Sequence, residues 1–556
     1  MKPLAALTGV AVLATSLVAA APATAAGPTT GLPGTGELSA LATARPATVE
    51  QAEQQFTDRT PERFRDQGLA WAACLPEFFT EAERPFAVQA GLECAPVTVP
   101  RDWNSPDDGA EVTVVISRVP QAGPRPERSL LSNPGGPGGA GLAMPAAYGR
   151  FPGLAGSEFI GIDVRGTGAS TSLHCADGML TAFATLPDTR DRSAAALEAA
   201  EAQLSAVAAE CAADPLAEFV TTEQTVADLD LVRHLLGRET VDYYGVSGGT
   251  WLGAQYATYF PARVGRFVLD SALDVTTSMQ EAFGWQPFAY ERRFEVDFGA
   301  YAAQYDWLFH LGSTPEEVVA TYAQLRNDLE ARPVEVPLQG TVDGFTLDSL
   351  ITAAMYNSSG FENLAWTMLY LRAAHAAAVV GDLVGLDLAA RRAGEQMELV
   401  PDPFTSSSVS TFYAITCNDT QWSQGAEFWN ARGDELGPRY PIRGWQATWQ
   451  PCGYWDRPDL TLPEPDGRDL PPVLVLQSLT DAATAYEGGA QTAKALPGTF
   501  VTVEGGDHGV YGTDNPCVND LVTTFLADGS LPASDLTCPA APVPAPGSQL
   551  ITALGG

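Results

Sequence analysis

The stretch Val241–Gly253, VDYYGVSGGTWLG, decides how this chain is read. It sets one serine, Ser247, among glycines: Gly245-Val246-Ser247-Gly248-Gly249. The chain holds 53 glycines in 556 residues, so a Gly-x-Ser-x-Gly pentapeptide says little by itself. Its flanks say more. Val241–Val246 reads as a buried strand, and Thr250–Phe260 reads as a helix that closes at Pro261. A serine on a tight turn between a buried strand and a helix is the setting of a nucleophile elbow: glycines allow the sharp turn, and the hydroxyl projects above the sheet edge. The plain alternative is an ordinary turn serine.

Working outward, the same alternation continues. Upstream, Glu223–Leu236 carries Val226, Leu229, Val232, Leu235 and Leu236 at helical spacing. Thr221 with Gln224 resembles a capping box at its start, and Gly237 sits where a C-terminal glycine belongs. A long Ala-rich helix is expected over Ala194–Ala212, and an early antiparallel strand over Glu111–Val119. RSLLSNPGGPGGAG (Arg128–Gly141) and EFIGIDVRGTGAS (Glu158–Ser170) are each a strand that stops in a glycine-rich turn. RFVLDSA (Arg266–Ala272), Pro471–Ser478 and Thr499–Gly506 supply further strands, with helices over Tyr486–Leu496 and Val518–Ala527. Such alternation predicts an α/β protein with a mostly parallel sheet flanked by helices. From Val275 to Pro465 the chain is instead mostly helical and aromatic; Thr314, Pro315 and Glu317 open one of its helices. This block, 275–465, reads as a helical cap inserted into an α/β domain formed by 66–274 and 466–545.

The balance of 31 Lys+Arg against 67 Asp+Glu gives a net charge of −36. With no basic stripe to neutralise phosphates, nucleic acid is not expected as a partner. The acidity reads as a solvated surface, or as an attraction for cationic substrates. Met1-Lys2, the apolar run Leu4–Ala20 and Ala23-Thr24-Ala25 have the form of a secretory signal peptide, here 1–25. Residues 26–65 begin with a Gly-, Thr-, Pro- and Ala-rich tract and read as a flexible leader or propeptide. No later run is long enough to span a bilayer, so a secreted protein with no membrane partner is expected. Secretion makes disulfides the expected state of Cys74, Cys94, Cys175, Cys211, Cys417, Cys452, Cys517 and Cys538. Pairing each with its neighbour in sequence is the simplest scheme; free thiols are the alternative. Metal-ligand spacing is missing, and neither metal nor cofactor is expected.

A serine hydroxyl needs a base. Of five histidines, His234 lies in an amphipathic helix, His310 and His375 lie in the cap, and His174 adjoins Cys175. His508 stands in a glycine-flanked loop, VEGGDHGVYG, directly after a strand, where the chain order Ser, acid, His puts the base. Asp481, one helix and one strand earlier, is the first choice for the carboxylate that holds it; Asp270, at the end of RFVLD, is the rival. Asp507, next to His508, reads as surface. Oxyanion donors are expected from the Gly248 amide and from Gly136 in SNPGGPGGAG.

With these pieces assembled, NPGGPGGAG, IDVRGTGAS, GVSGGTWLG, RFVLDSALD and the Asp481/His508 tail resemble the secreted bacterial tripeptidyl aminopeptidases, relatives of the prolyl aminopeptidases. The resemblance runs from about Trp71 to Cys538. It implies an α/β-hydrolase fold and a serine exopeptidase acting on peptides with a free N-terminus, with Ser247, Asp481 and His508 as triad. It also implies cap carboxylates for the substrate ammonium. Glu362 and Asp419 are the candidates here, with surface charge as the plain alternative for each. A secreted ester hydrolase with the same triad, and a non-catalytic binding protein of the same fold, are the other readings.

Overall fold

The β-rich runs pair into a ten-stranded sheet. The computed structural model describes Leu38, Pro46, Leu154 and residues 48–120, 126–149, 156–179, 188–397 and 405–547. In chain order the strands are β1 (Ala72–Ala73), β2 (Glu93–Pro100), β3 (Glu111–Arg118), β4 (Arg128–Asn133), β5 (Ser157–Asp163), β6 (Val241–Val246) and β7 (Val264–Asp270). A small cap hairpin follows, β8 (Val334–Val336) with β9 (Gly340–Val342), and then β10 (Val473–Ser478), β11 (Gly498–Glu504) and β12 (Leu536–Pro539). The main sheet runs β1-β2-β3-β5-β4-β6-β7-β10-β11-β12. Its first strands pair antiparallel, and from β5 through β4 to β12 every pair is parallel. This is an α/β-hydrolase fold.

Both faces of the sheet are covered, so its strands are apolar on both sides. Alternation decides the destination of each side chain. Leu131, Tyr243, Val473 and Val475 enter one apolar cluster, while Leu130, Tyr244, Leu474 and Leu476 enter the other.

The helices that matter below are α1 (Val49–Arg59), α2 (Ala194–Ala213), α3 (Thr222–Leu235), α4 (Gly248–Tyr259), α5 (Gln286–Arg293), α6 (Pro315–Ala331), α7 (Gly344–Ala354), α8 (Phe361–Val380), α9 (Leu383–Gly394), α10 (Thr405–Asp419), α11 (Ala426–Leu436), α12 (Tyr486–Ala495) and α13 (Pro516–Asp528).

Two features depart from the sequence reading. Residues 1–25 lie outside the described residues, but the second half of the segment 26–65 is folded. Thr48 and Gln51 close a capping box on α1, and Phe56 and Phe64 are buried in the main core. Arg59 donates to Asp230 on α3 at 3.0 Å. An amphipathic helix from Val49 thus follows directly on the Gly/Pro-rich tract.

The block 275–465 is also divided. From Tyr290 to Met397 its apolar residues form their own cluster, with α6, α7, α8 and α9 around β8 and β9. Val409, Phe412, Trp429 and Trp455, by contrast, join the core beneath the sheet. The returning helix α10 therefore packs with the body. It seats a polar edge on the segment after β5: Ser407 Oγ accepts from Gly168 N at 3.1 Å, and Ser410 Oγ accepts from Ala176 N at 2.9 Å. A strap ahead of α2 ties body to cap. Arg190 donates to Tyr322 Oη, Pro441 O and Asp348, and Arg192 donates to Asp434 at 2.7 Å.

Four disulfides join Cys74–Cys94, Cys175–Cys211, Cys417–Cys452 and Cys517–Cys538. Each closes a loop of a size whose loss of unfolded-chain freedom stabilises by about 3 kcal/mol. Among the described residues, no helix is long and apolar enough to cross a membrane.

The packing of α1 makes a direct prediction. Phe56→Ala should lower unfolding stability by about 3 kcal/mol, the usual cost of emptying a buried aromatic site. Denaturant titration of the two proteins checks this, and an unchanged midpoint would show that α1 is dispensable.

Candidate active site

The parallel strands deliver their C-terminal ends, and the loops after them, to one edge of the sheet. Asn133 at the end of β4 pairs with Gly245 of β6, so the loops after these strands leave side by side. Val246 pairs with Asp270, and Leu476 of β10 pairs with Asp270 in turn.

Ser247 follows β6 and precedes α4, with φ 56° and ψ −125°. A side chain at positive φ costs on the order of 1–3 kcal/mol and persists only where its surroundings impose it. Here Ser247 N donates to Asp270 O at 3.0 Å, and Thr250 donates to Ser247 O from both N (2.8 Å) and Oγ1 (2.6 Å). The neighbouring glycines are required by contact. A Cβ on Gly245 would lie 2.5 Å from Gly249 O, and one on Gly249 would lie 2.7 Å from Asn133 O.

The glycine loop after β4 presses against this turn. A Cβ on Gly135 would come within 2.3 Å of Val246 O and 2.8 Å of Ser247 Cβ. One on Gly248 would sit 2.6 Å from Pro137 N and 2.8 Å from Gly136 C. Gly136 and Gly248, the expected oxyanion donors, are thus packed against one another beside Ser247. Gly248 is the first residue of α4, where a helix amide has no intrahelical acceptor.

The histidine loop follows β11. His508 Nδ1 lies 3.0 and 3.1 Å from the two Asp481 carboxylate oxygens. Asp481 is fully buried and also accepts from Ala483 N (2.9 Å), Thr484 N (3.0 Å) and Thr484 Oγ1 (3.0 Å). Thr484 Oγ1 lies 3.3 Å from His508 Nδ1 as well. A neutral imidazole that donates Nδ1–H to Asp481 keeps its Nε2 lone pair free to take a proton. The loop abuts the serine turn, because a Cβ on Gly509 would meet Val246 at 3.3 Å. Burial opposes a charged imidazole, yet the Asp481 charge and hydrogen bond, with Asp270, raise the His508 pKa above its ordinary value.

Asp270, the rival acid, does different work. Its carboxylate accepts from Val510 N (3.0 Å), Tyr511 N (2.9 Å) and the Tyr244 hydroxyl (3.0 Å). It holds the backbone that follows His508. Burial pushes its carboxyl above the usual range against those donors.

Of the other four histidines, three stand beside side-chain partners elsewhere. His234 is 3.2 Å from Glu53, His174 is 3.0 Å from Ser406 and His375 is 3.8 Å from Asp328, while His310 ends a short cap helix. The two candidate carboxylates for the substrate ammonium are also engaged. Asp419 is 1 % exposed and accepts from Thr222 N (2.9 Å) and Trp251 Nε1 (3.1 Å), which joins α10 to the starts of α3 and α4. Burial raises its pKa to about 6. Glu362 Oε1 accepts from Gly547 N at 2.9 Å, beside Trp366 on its own helix. Neither bond network includes Ser247 or His508.

Two residues of IDVRGTGAS support the site from behind. Asp163 accepts from Gly141 N (2.8 Å), Leu142 N (3.3 Å) and Ala169 N (2.9 Å), so one carboxylate braces both glycine turns. Burial pushes its pKa up to about 7 against those donors. Arg165, fully buried, grips Asp228 of α3 through two 2.7 Å bonds.

Comparison with known proteins agrees with this architecture. Residues 129–304 match the family described as alpha/beta hydrolase fold, and residues 440–538 match TAP-like protein. A tripeptidyl aminopeptidase of Streptomyces lividans is 32 % identical over 495 residues, covering 86 % of this chain and 88 % of that protein. The chain belongs to the tripeptidyl aminopeptidase family. It is a serine hydrolase of the α/β-hydrolase fold. A carboxylesterase B of Mycobacterium tuberculosis is 28 % identical over 464 residues, covering 80 % of this chain and 86 % of that one. A solved proline iminopeptidase of Mycobacterium smegmatis overlaps at 16 % identity and a TM-score of 0.30, over 78 % of this chain and 98 % of that one. The strand order, rather than this overlap, establishes the fold.

The glycine contacts give a second prediction. Gly135→Ala, at φ +96° and 2.3 Å from Val246 O, forces the glycine loop away from the serine turn. Displacement by about 1 Å in such a site costs on the order of a hundredfold in rate. Ester or anilide hydrolysis by the variant, measured beside its melting temperature, reads the effect.

Proposed function

We propose that this protein is a secreted serine exopeptidase that releases short peptides, tripeptides in particular, from free N-termini. The observation that carries the reading is the buried Asp481–His508 pair in a loop abutting the positive-φ serine turn. Family membership supports an N-terminal peptidase, and four disulfides suit an oxidising, extracellular compartment.

His508 takes the proton of Ser247 Oγ as that oxygen attacks the scissile carbonyl carbon. The carbonyl oxygen gains negative charge and is held by the Gly136 and Gly248 amides. The tetrahedral centre collapses, the C–N bond breaks, and His508 gives its proton to the departing amine. Water, losing a proton to His508, then splits the Ser247 acyl ester and restores the hydroxyl. Asp481 stays ionised throughout and stabilises the imidazolium. The helical cap over the strand ends restricts entry to chain termini.

Ser247→Ala should reduce turnover by several orders of magnitude; a loss of less than about tenfold would falsify the assignment. The substrate reading rests on a three-way comparison of an unblocked tripeptide anilide, its N-acetylated form and a simple acyl ester. Fast cleavage of the unblocked peptide alone is expected. The carboxylesterase relative supports a second reading, in which the ester is the fast substrate.

The pH profile tests the base. His508 must be neutral to accept a proton, and its raised pKa puts the acid limb of kcat/KM above the ordinary imidazole value of 6.5. Asp481→Asn removes the main raising influence and leaves burial, so the limb should move to lower pH. Turnover should fall on the order of ten-thousandfold, as when the acid of a triad is neutralised.

A further inference from the structure

By sequence Asp507 reads as an ordinary surface carboxylate. It is instead the point at which the cap grips the histidine loop. Its Oδ1 accepts from Ser358 N at 2.8 Å and from Arg293 Nη2 at 2.5 Å, and its Oδ2 accepts from Ser358 Oγ at 2.9 Å. Arg293, on α5 of the cap, is 1 % exposed. Its Nε donates to Met355 O at 2.7 Å and its Nη1 to Asp297 at 2.8 Å, and its guanidinium lies 5.3 Å from the Phe361 ring. The next residue, His508, donates its own amide to Tyr356 O at 2.8 Å, and the Tyr356 ring stands edge-on to the imidazole at 5.4 Å. Gly506 completes the fit, since a Cβ there would lie 1.6 Å from Arg293 Nη1.

The loop is therefore held on two sides. From the body, Asp270 and Ser271 bind the amides of Val510, Tyr511 and Gly509. From the cap, residues 355–358 and Arg293 bind Asp507 and the His508 amide. We propose that Asp507 and Arg293 are positioning residues for His508, an ion pair that keeps the base in register with Ser247 only while the cap is seated. The proposal rests on the reading of Ser247, Asp481 and His508 as a triad. It makes the cap part of the catalytic framework as well as a barrier to entry.

The charged and titratable groups facing His508 are the Asp481 and Asp270 carboxylates and the Arg293 guanidinium, with the Tyr356 ring and Thr484 hydroxyl beside it. Asp507→Asn removes a negative charge and leaves Arg293 with Asp297 as its one carboxylate partner. Both changes disfavour the imidazolium, so the acid limb of kcat/KM should move to lower pH. The lost register should lower kcat by about tenfold or more with KM nearly unchanged. The rate at which a fluorophosphonate labels Ser247, which needs no peptide substrate, should fall in parallel. Arg293→Lys, which keeps the charge and loses the fork, should retain the wild-type acid limb while kcat falls; Arg293→Met should lose both.

A lower melting temperature in Asp507→Asn with an unmoved acid limb and wild-type labelling would overturn the proposal and leave the pair as a mechanical staple. If that variant fails to fold, Ser358→Ala decides, because it removes one hydroxyl donor and keeps the backbone donor. Slower labelling supports the proposal, and unchanged labelling defeats it. Failure of the wild-type protein to label at Ser247 would instead remove the triad reading itself.

Discussion

The backbone of Ser247 is the constraint on which the site depends. An L-residue at φ 56° and ψ −125° does not hold itself there. The sheet and its loops hold it, through the Asp270 carbonyl, the two Thr250 donors and the absence of side chains at Gly135, Gly245, Gly248 and Gly249. The strand order β5-β4-β6-β7 sets the glycine loop on one flank of the turn and Asp270 on the other. Local strain at the serine is thus offset by long-range pairing, and the same pairing aligns the loops that carry Asp481 and His508.

Body and cap both contain buried charges that must be matched. Arg165 with Asp228, Arg59 and Arg233 with Asp230, and Arg190 and Arg326 with Asp348 each bring charge into the interior. Removing one partner of such a pair typically costs about 3–5 kcal/mol, because the other charge is left buried and unpaired. These pairs contribute geometry more than net stability. Arg165 fixes the RGTG turn to α3, and Arg190 fixes the body to the cap. Asp163 joins both glycine turns through three amides.

The sequence was most legible where local pattern and chemistry coincide. The strand, turn and helix around Ser247 follow from residue type alone, and so do the glycine loop and the strand before His508. Between Asp481 and Asp270, only the three-dimensional arrangement discriminates: one lies in the loop after β10 and meets the ring nitrogen, while the other ends β7 and meets the following amides. What stayed hidden depends on partners far away in the chain. Asp419 meets Thr222 and Trp251, Glu362 meets Gly547, and Asp507 meets Arg293 and Ser358. No window of sequence contains both members of such a pair. The division of the 275–465 block was hidden for the same reason, since α10 is helical like the cap but finds its apolar partners under the sheet.

Helix α1 bears on how the N-terminus can be matured. Proteolytic trimming that stops ahead of Thr48 leaves the capping box and the buried Phe56 intact. A cut beyond Arg59 strips the aromatic plug from the core and the cation from Asp230. Leu38, Phe56 and Phe64 all enter the main core, so the segment ahead of β1 is tied to the body at several points along its length.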